Sequence, residues 1–239
     1  MIKKLFEKHE TPMCIALIVL YVAVNSYCMQ NFGTTSIVCA LINTAFSVML
    51  IALTIHLGRV SFYGLQKVHN AKKYLYFIPL ALIASVNLWG GIHVNNTPTE
   101  ILIHILTMVN VGFIEEMIFR GYLYRMMEKD NPKAAAIVSA VTFGIGHIVN
   151  LLNGEALVPT LLQLCYAVAL GWLFVVIFRK SRSLWPCIIA HGVLNALSIF
   201  CTDSDLLTYV GSAVLVVVAL GYAFYIDKSA AEPVSEDAA

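Results

Sequence analysis

Eight apolar runs of about 18 to 27 residues divide this chain, and a helix needs about 20 such residues to cross the hydrocarbon core of a bilayer. They fall at about 11–31, 35–57, 74–95, 101–127, 133–152, 158–178, 184–201 and 206–226. The pattern predicts an all-α, polytopic membrane bundle of eight transmembrane helices. Composition agrees: only 12% of the 239 residues are charged and mean hydropathy is +0.80, where soluble domains carry roughly 25% charged residues. Residues 1–228 are expected to form one transmembrane domain, and 229–239 a disordered acidic tail. Lys3, Lys4, Glu7, Lys8 and Glu10 make the N-terminus too polar for a cleaved leader, so the first run is expected to be a retained helix.

The basic residues set an orientation. Lys3, Lys4 and Lys8 precede the first run, and Arg59, Lys67, Lys72 and Lys73 separate the second from the third. Arg120, Arg125, Lys129 and Lys133 lie around the junction of the fourth and fifth. Arg179, Lys180 and Arg182 separate the sixth from the seventh, and Lys228 follows the eighth. The alternate loops 32–34, 96–100, 153–157 and 202–205 hold no Lys or Arg. Basic loops stay in the cytoplasm, which predicts an integral multi-pass protein, expected in a bacterial plasma membrane, with both termini cytoplasmic. The loop 59–73 mixes aromatic and basic residues and is expected to lie along the membrane surface. A net charge of +1 gives no reason to expect a nucleic-acid partner. The expected surroundings are the lipid bilayer and a membrane-embedded or membrane-associated peptide or protein. The six cysteines are scattered without a Cys-x-x-Cys pair and suit small buried side chains.

Within the fourth run stand two adjacent acids, Glu115 and Glu116, with Arg120 close behind. A charge at bilayer depth costs about 2.5–3.5 kcal/mol on insertion scales, so such groups are paired, wet or functional. Residues four apart share a helix face. Glu116 and Arg120 are therefore expected to neutralise each other and leave Glu115 turned elsewhere. His147 lies within the fifth run, beside Gly144 and Gly146, which allow close helix approach. His191 and Asn195, four apart, share a face of the seventh. At 1.5 Å per residue, Glu115 and His147 each lie roughly 20 Å from the turn joining their helices, so they can meet at one depth. One site is expected, in the middle or cytoplasmic half of the bilayer, with a polar cavity open to the cytoplasm or between helices. His104, three turns before Glu115, is expected near the outer interface.

Glu115-Glu116-x-x-x-Arg120, Phe143-x-x-x-His147 and His191-x-x-x-Asn195, in that order, resemble the three motifs of the CPBP (Abi) family of intramembrane proteases related to type II CAAX prenyl endopeptidase. The family core would occupy about 101–201. The resemblance implies an eight-helix fold and peptide-bond hydrolysis within the membrane. It implies that Glu115, assisted by His147, activates water, that His191 and Asn195 stabilise the oxyanion, and that Glu116 and Arg120 support them. A carboxylate away from bulk water can act as base and then as acid, and fixed donors in a low-dielectric site stabilise an oxyanion. Two chemistries stay open: a glutamate mechanism with no cofactor, favoured because Asn195 suits an oxyanion site, and a zinc-dependent one with Glu115, His147 and His191 as ligands. A proton-coupled transporter and a non-catalytic bacteriocin-immunity scaffold are the competing readings.

Overall fold

The computed structural model describes residues 2–68, 77–202 and 204–229. Among these, all regular structure is helical. A short α1 (Ile2–Lys8) leads into α2 (Glu10–Phe32) and α3 (Ile37–Leu57). Helix α4 (Phe77–Ala84) ends in a single 3₁₀ turn, Val86–Leu88. Helix α5 (Pro98–Glu116) continues through a π-helical stretch, Met117–Tyr124, and a last turn, Arg125–Glu128. Then follow α6 (Pro132–Gly146), α7 (Leu157–Ser181), α8 (Trp185–Ala196) and α9 (Asp205–Ser229).

Six helical stretches are long and apolar enough to cross a membrane: 10–32, 37–57, 98–128, 132–152, 157–181 and 205–229. The expected seventh span, 184–201, the shortest of the eight, is present as α8 and a 3₁₀ turn, Leu197–Phe200, and is shorter than those six. The third is helical only over α4 and its 3₁₀ turn among the described residues, and the Gly90-Gly91 pair ends it. Gly91 adopts φ +95°, a left-handed conformation open to glycine, and Asn87 Nδ2 donates to the carbonyl of Leu194 at 2.7 Å instead of facing lipid. The start of that span at 74–76, together with Lys72, Lys73, Asp203 and residues 230–239 of the expected tail, lies outside the described residues.

Helix α5 is the axis of the bundle. Thr97 and Glu100 form a reciprocal capping box at its start, with Pro98 in the first turn. It packs between α3 and α8, and its π-helical part lies against α2 and α6. Helix α7 packs between α6 and α9. Large apolar side chains on the outer faces of α2, α3 and α9, such as Val19, Leu41 and Val217, are exposed, as a bundle solvated by lipid requires.

The charged residues that bracket the spans gather at one end. Glu10 pairs with Arg59 and with Lys129 Nζ at 3.1 Å, while Glu128 pairs with Arg125 and with Arg182 Nη1 at 3.3 Å. Arg179 pairs with Asp227. Arg59, Arg125 and Lys129 all lie over the Phe62 ring. The loop from Arg59 is partly drawn into this end and does not lie wholly on the surface. Tyr63 is buried against Tyr122, ring centroids 4.3 Å apart, and burial pushes its phenol up to about 12. Gly64 sits at φ +86°, where a Cβ would come within 2.5 Å of the Phe178 ring.

Candidate active site

The two glutamates part company as their 100° separation requires. Glu116 is fully buried; its Oε1 accepts from Arg120 Nη1 at 3.0 Å and from His191 Nδ1 at 2.9 Å. Arg120, also fully buried, lies 4.1 Å over the Phe143 ring and 5.6 Å from the Phe174 ring. Its guanidinium fits because residue 171 is glycine: a Cβ there would approach Nη2 to 3.0 Å. Glu116 Oε2 and Arg120 Nε and Nη2 have no hydrogen-bond partner among the described residues, and the pair is held there by one hydrogen bond between its members and by aromatic faces.

Glu115 turns the other way, into a cavity of about 680 Å³ that His147, His191 and Asn195 also line. Its Oε1 accepts from the Tyr21 hydroxyl at 3.1 Å, and its Oε2 faces His191 Nε2 at 3.5 Å. His191 thus bridges the two glutamates, one nitrogen to each. His147 Nδ1 lies 3.0 Å from the Phe143 carbonyl oxygen, so Nδ1 carries the hydrogen and Nε2 is the basic nitrogen of the neutral ring. Phe143 is the hub: its ring meets His147 edge-on at 5.1 Å and His191 at 5.6 Å, with Arg120 on its face. The motif's phenylalanine therefore spaces the two imidazoles.

Backbone irregularities aim these groups. Helix α5 turns π-helical immediately after Glu116, and such segments are frequent at functional sites. Helix α6 stops at Gly146, so His147 caps it and heads the turn to Val149–Leu152, where a continuous helix was expected. Gly144 permits the expected close approach, since a Cβ would meet Val168 Cγ2 at 2.3 Å; Gly146 does not, having nothing within 4 Å. It opens onto the smaller pocket shared by Tyr21, Glu115 and His147. Helices α5 and α8 touch backbone to backbone at Gly112 and Gly192.

Two features lay beyond the sequence reading. Tyr21 and Asn25 reach the site from α2, far from every motif; their spacing of four on an apolar helix was the available signal. His104 is 4% exposed and does not sit at an open interface. Its ring joins Thr34 Oγ1 at 2.9 Å, the Asn195 carbonyl at 3.4 Å and Ser198 Oγ at 3.3 Å, pinning the turn that carries Asn195.

The cavity opens at the end opposite the ion-paired bases. Exposed Gln30, Glu155, Cys201 and Thr208 stand at its mouth. Towards the basic end, Phe6, Tyr63, Tyr122, Tyr124 and Phe178 are at most 2% exposed and fill the bundle. The expected opening to the basic side is thus closed by packed aromatics.

Among the described residues, no three His, Cys, Asp or Glu side chains converge closely enough to hold a metal ion. Glu115, His147 and His191 line one cavity.

Long apolar helices around a buried carboxylate–imidazole cluster define a helical membrane protein with a polar site in its interior. Residues 97–197 match the family model for type II CAAX prenyl endopeptidase, Rce1-like. The match covers Glu115, His147, His191 and Asn195 together, and it agrees with the resemblance that the motifs carry. No curated protein and no solved structure matches the chain.

Proposed function

We propose that the protein is an intramembrane endopeptidase of the CAAX-protease type, with Glu115 as its general base. The observation that carries this reading is the division between the acids. Glu116 is consumed by Arg120 and His191, whereas Glu115 faces a cavity large enough for water and a peptide.

A water held between Glu115 and the basic Nε2 of His147 attacks the scissile carbonyl carbon. Its proton passes to Glu115 as the C–O bond forms, and the carbonyl π electrons move onto oxygen. The oxyanion is met by the Asn195 amide and by His191. Glu116 accepts from Nδ1 of His191 and so fixes the ring with Nε2 turned towards Glu115 and the cavity. Glu115 then delivers its proton to the amide nitrogen and the C–N bond breaks, giving a carboxylic acid and an amine. Tyr21 holds one oxygen of Glu115 through this exchange, so that the other faces the reaction. The eight crossings, the cytoplasmic termini and a reaction without a metal belong to the same proposal.

The test is cleavage of a panel of membrane-anchored fluorogenic peptides by the purified protein in lipid nanodiscs. Glu115→Ala is expected to abolish cleavage while keeping the wild-type thermal midpoint within a few degrees. Undiminished cleavage by that variant refutes the assignment.

A further inference from the structure

The position and charge of the cavity mouth carry a statement about substrate, resting on the reading above. The mouth is framed by the last turn of α2 at Gln30, the loop after α6 at Glu155, and the passage from α8 into α9 at Cys201 and Thr208. The adjoining loops 32–34, 153–157 and 202–205 hold no Lys or Arg, and the ion pairs of Glu10, Arg59, Arg125, Glu128 and Lys129 mark the other end. A separate depression at the basic end, walled by Arg59, Phe62 and Lys129, includes none of the site residues. Basic loops remain cytoplasmic during insertion. The open end is therefore the outer one.

The walls say what enters. Among the described lining residues there is no Lys or Arg; the acids are Glu115 within and Glu155 at the rim. The remaining polar lining is rich in amides, among them Asn25, Asn150, Asn153 and Gln163, which offer both donors and acceptors to a peptide backbone. All four are held in place and keep groups to spare: Asn150 Nδ2 donates to Gln163 Oε1 at 2.8 Å, Asn153 Oδ1 accepts from Ser26 at 2.9 Å, and Asn25 Oδ1 accepts from Asn43 Nδ2 at 3.3 Å. An anionic segment would meet the carboxylates of Glu155 at the rim and Glu115 within, with no Lys or Arg among the described lining residues.

We propose that the cavity takes an extended peptide segment from the extracytoplasmic side of the membrane and selects neutral or cationic segments over anionic ones. The side is tested with a native thiol. Cys201 at the mouth and Cys165 are the exposed cysteines, the other four being buried. In a Cys165→Ser variant, a membrane-impermeant maleimide should label Cys201 in right-side-out vesicles and not in inverted ones. Labelling only in inverted vesicles overturns the assignment of the side. The charge is tested by binding, independently of hydrolysis, in Glu115→Gln protein in nanodiscs. Two fluorescent decapeptides with one apolar centre carry Lys or Asp flanks. The Lys peptide is expected to bind about tenfold more tightly, the scale of one unpaired charge at a partly wet site, and Glu155→Lys to reverse the order. Equal binding of the two peptides, or none of either, overturns the charge selection. Selective binding with no cleavage of any peptide by the wild type refutes the endopeptidase reading alone.

Discussion

Gly112→Ala probes the coupling between packing and the site. A Cβ at Gly112 would lie 2.7 Å from the Gly192 nitrogen, 2.9 Å from its Cα and 3.3 Å from the His191 carbonyl carbon. Ordinary contacts begin near 3.4 Å, and these neighbours are backbone, so α5 and α8 must separate by about 0.7 Å. Overpacking of this kind costs about 1–3 kcal/mol, and each kcal/mol lowers a midpoint by about 2–4 °C in a chain of this size. A fall of roughly 2–12 °C is expected in a thermal melt in detergent. His191 travels with the displaced backbone and moves from its 2.9 Å contact with Glu116. Misplacement of a catalytic group by 1 Å can cost about 100-fold in rate, so cleavage should fall by one to two orders of magnitude. Gly221→Ala is the control: the residue lies in α9 with nothing within 4 Å of the added methyl, and exchange for a better helix former should be neutral or stabilising. A Gly112→Ala protein with wild-type midpoint and rate would refute the claim that α5–α8 contact sets the site.

Arg120→Gln leaves Glu116 buried without its cation and should cost about 3–5 kcal/mol, with part of that loss recovered in Glu116→Gln/Arg120→Gln; melts of the three variants check it. Tyr21→Phe removes the hydroxyl that donates to Glu115 at 3.1 Å. A hydrogen bond to a charged group contributes about 1.5 kcal/mol, so turnover should fall about tenfold with the midpoint little changed. Gly64→Ala combines a left-handed φ of +86° with a 2.5 Å approach to Phe178 and should lower the midpoint without altering the cavity. Exhaustive chelation is expected to leave cleavage intact; loss of activity that zinc alone restores would refute the metal-free mechanism.

How far the sequence reached is visible at single residues. The Glu116–Arg120 pair, the outward turn of Glu115 and the meeting of His147 with His191 in one cavity follow from helical periodicity and from the cost of charge in lipid. Asn195 was legible from its spacing to His191. Tyr21 was not, because an aromatic residue in an apolar helix reads first as packing. The π-helical stretch after Glu116 has no proline to mark it, and the break at His147 is signalled only by Gly144 and Gly146, which read first as sites of close helix packing. The interruption of the third span escaped because hydropathy counts apolar residues without asking whether they continue one helix.

The sequence alone determined that the chain is helical and built for lipid, which residues carry charge within it, and which end collects the bases. These are properties of single helices and of their transfer into a bilayer, and they need no knowledge of partners. The tertiary structure decided which way the cavity opens, that one imidazole serves both glutamates, and that Tyr21 completes the site. Those depend on which helix faces touch, and on five buried aromatics that close the basic end while the short α8 and the broken α6 leave the other end open.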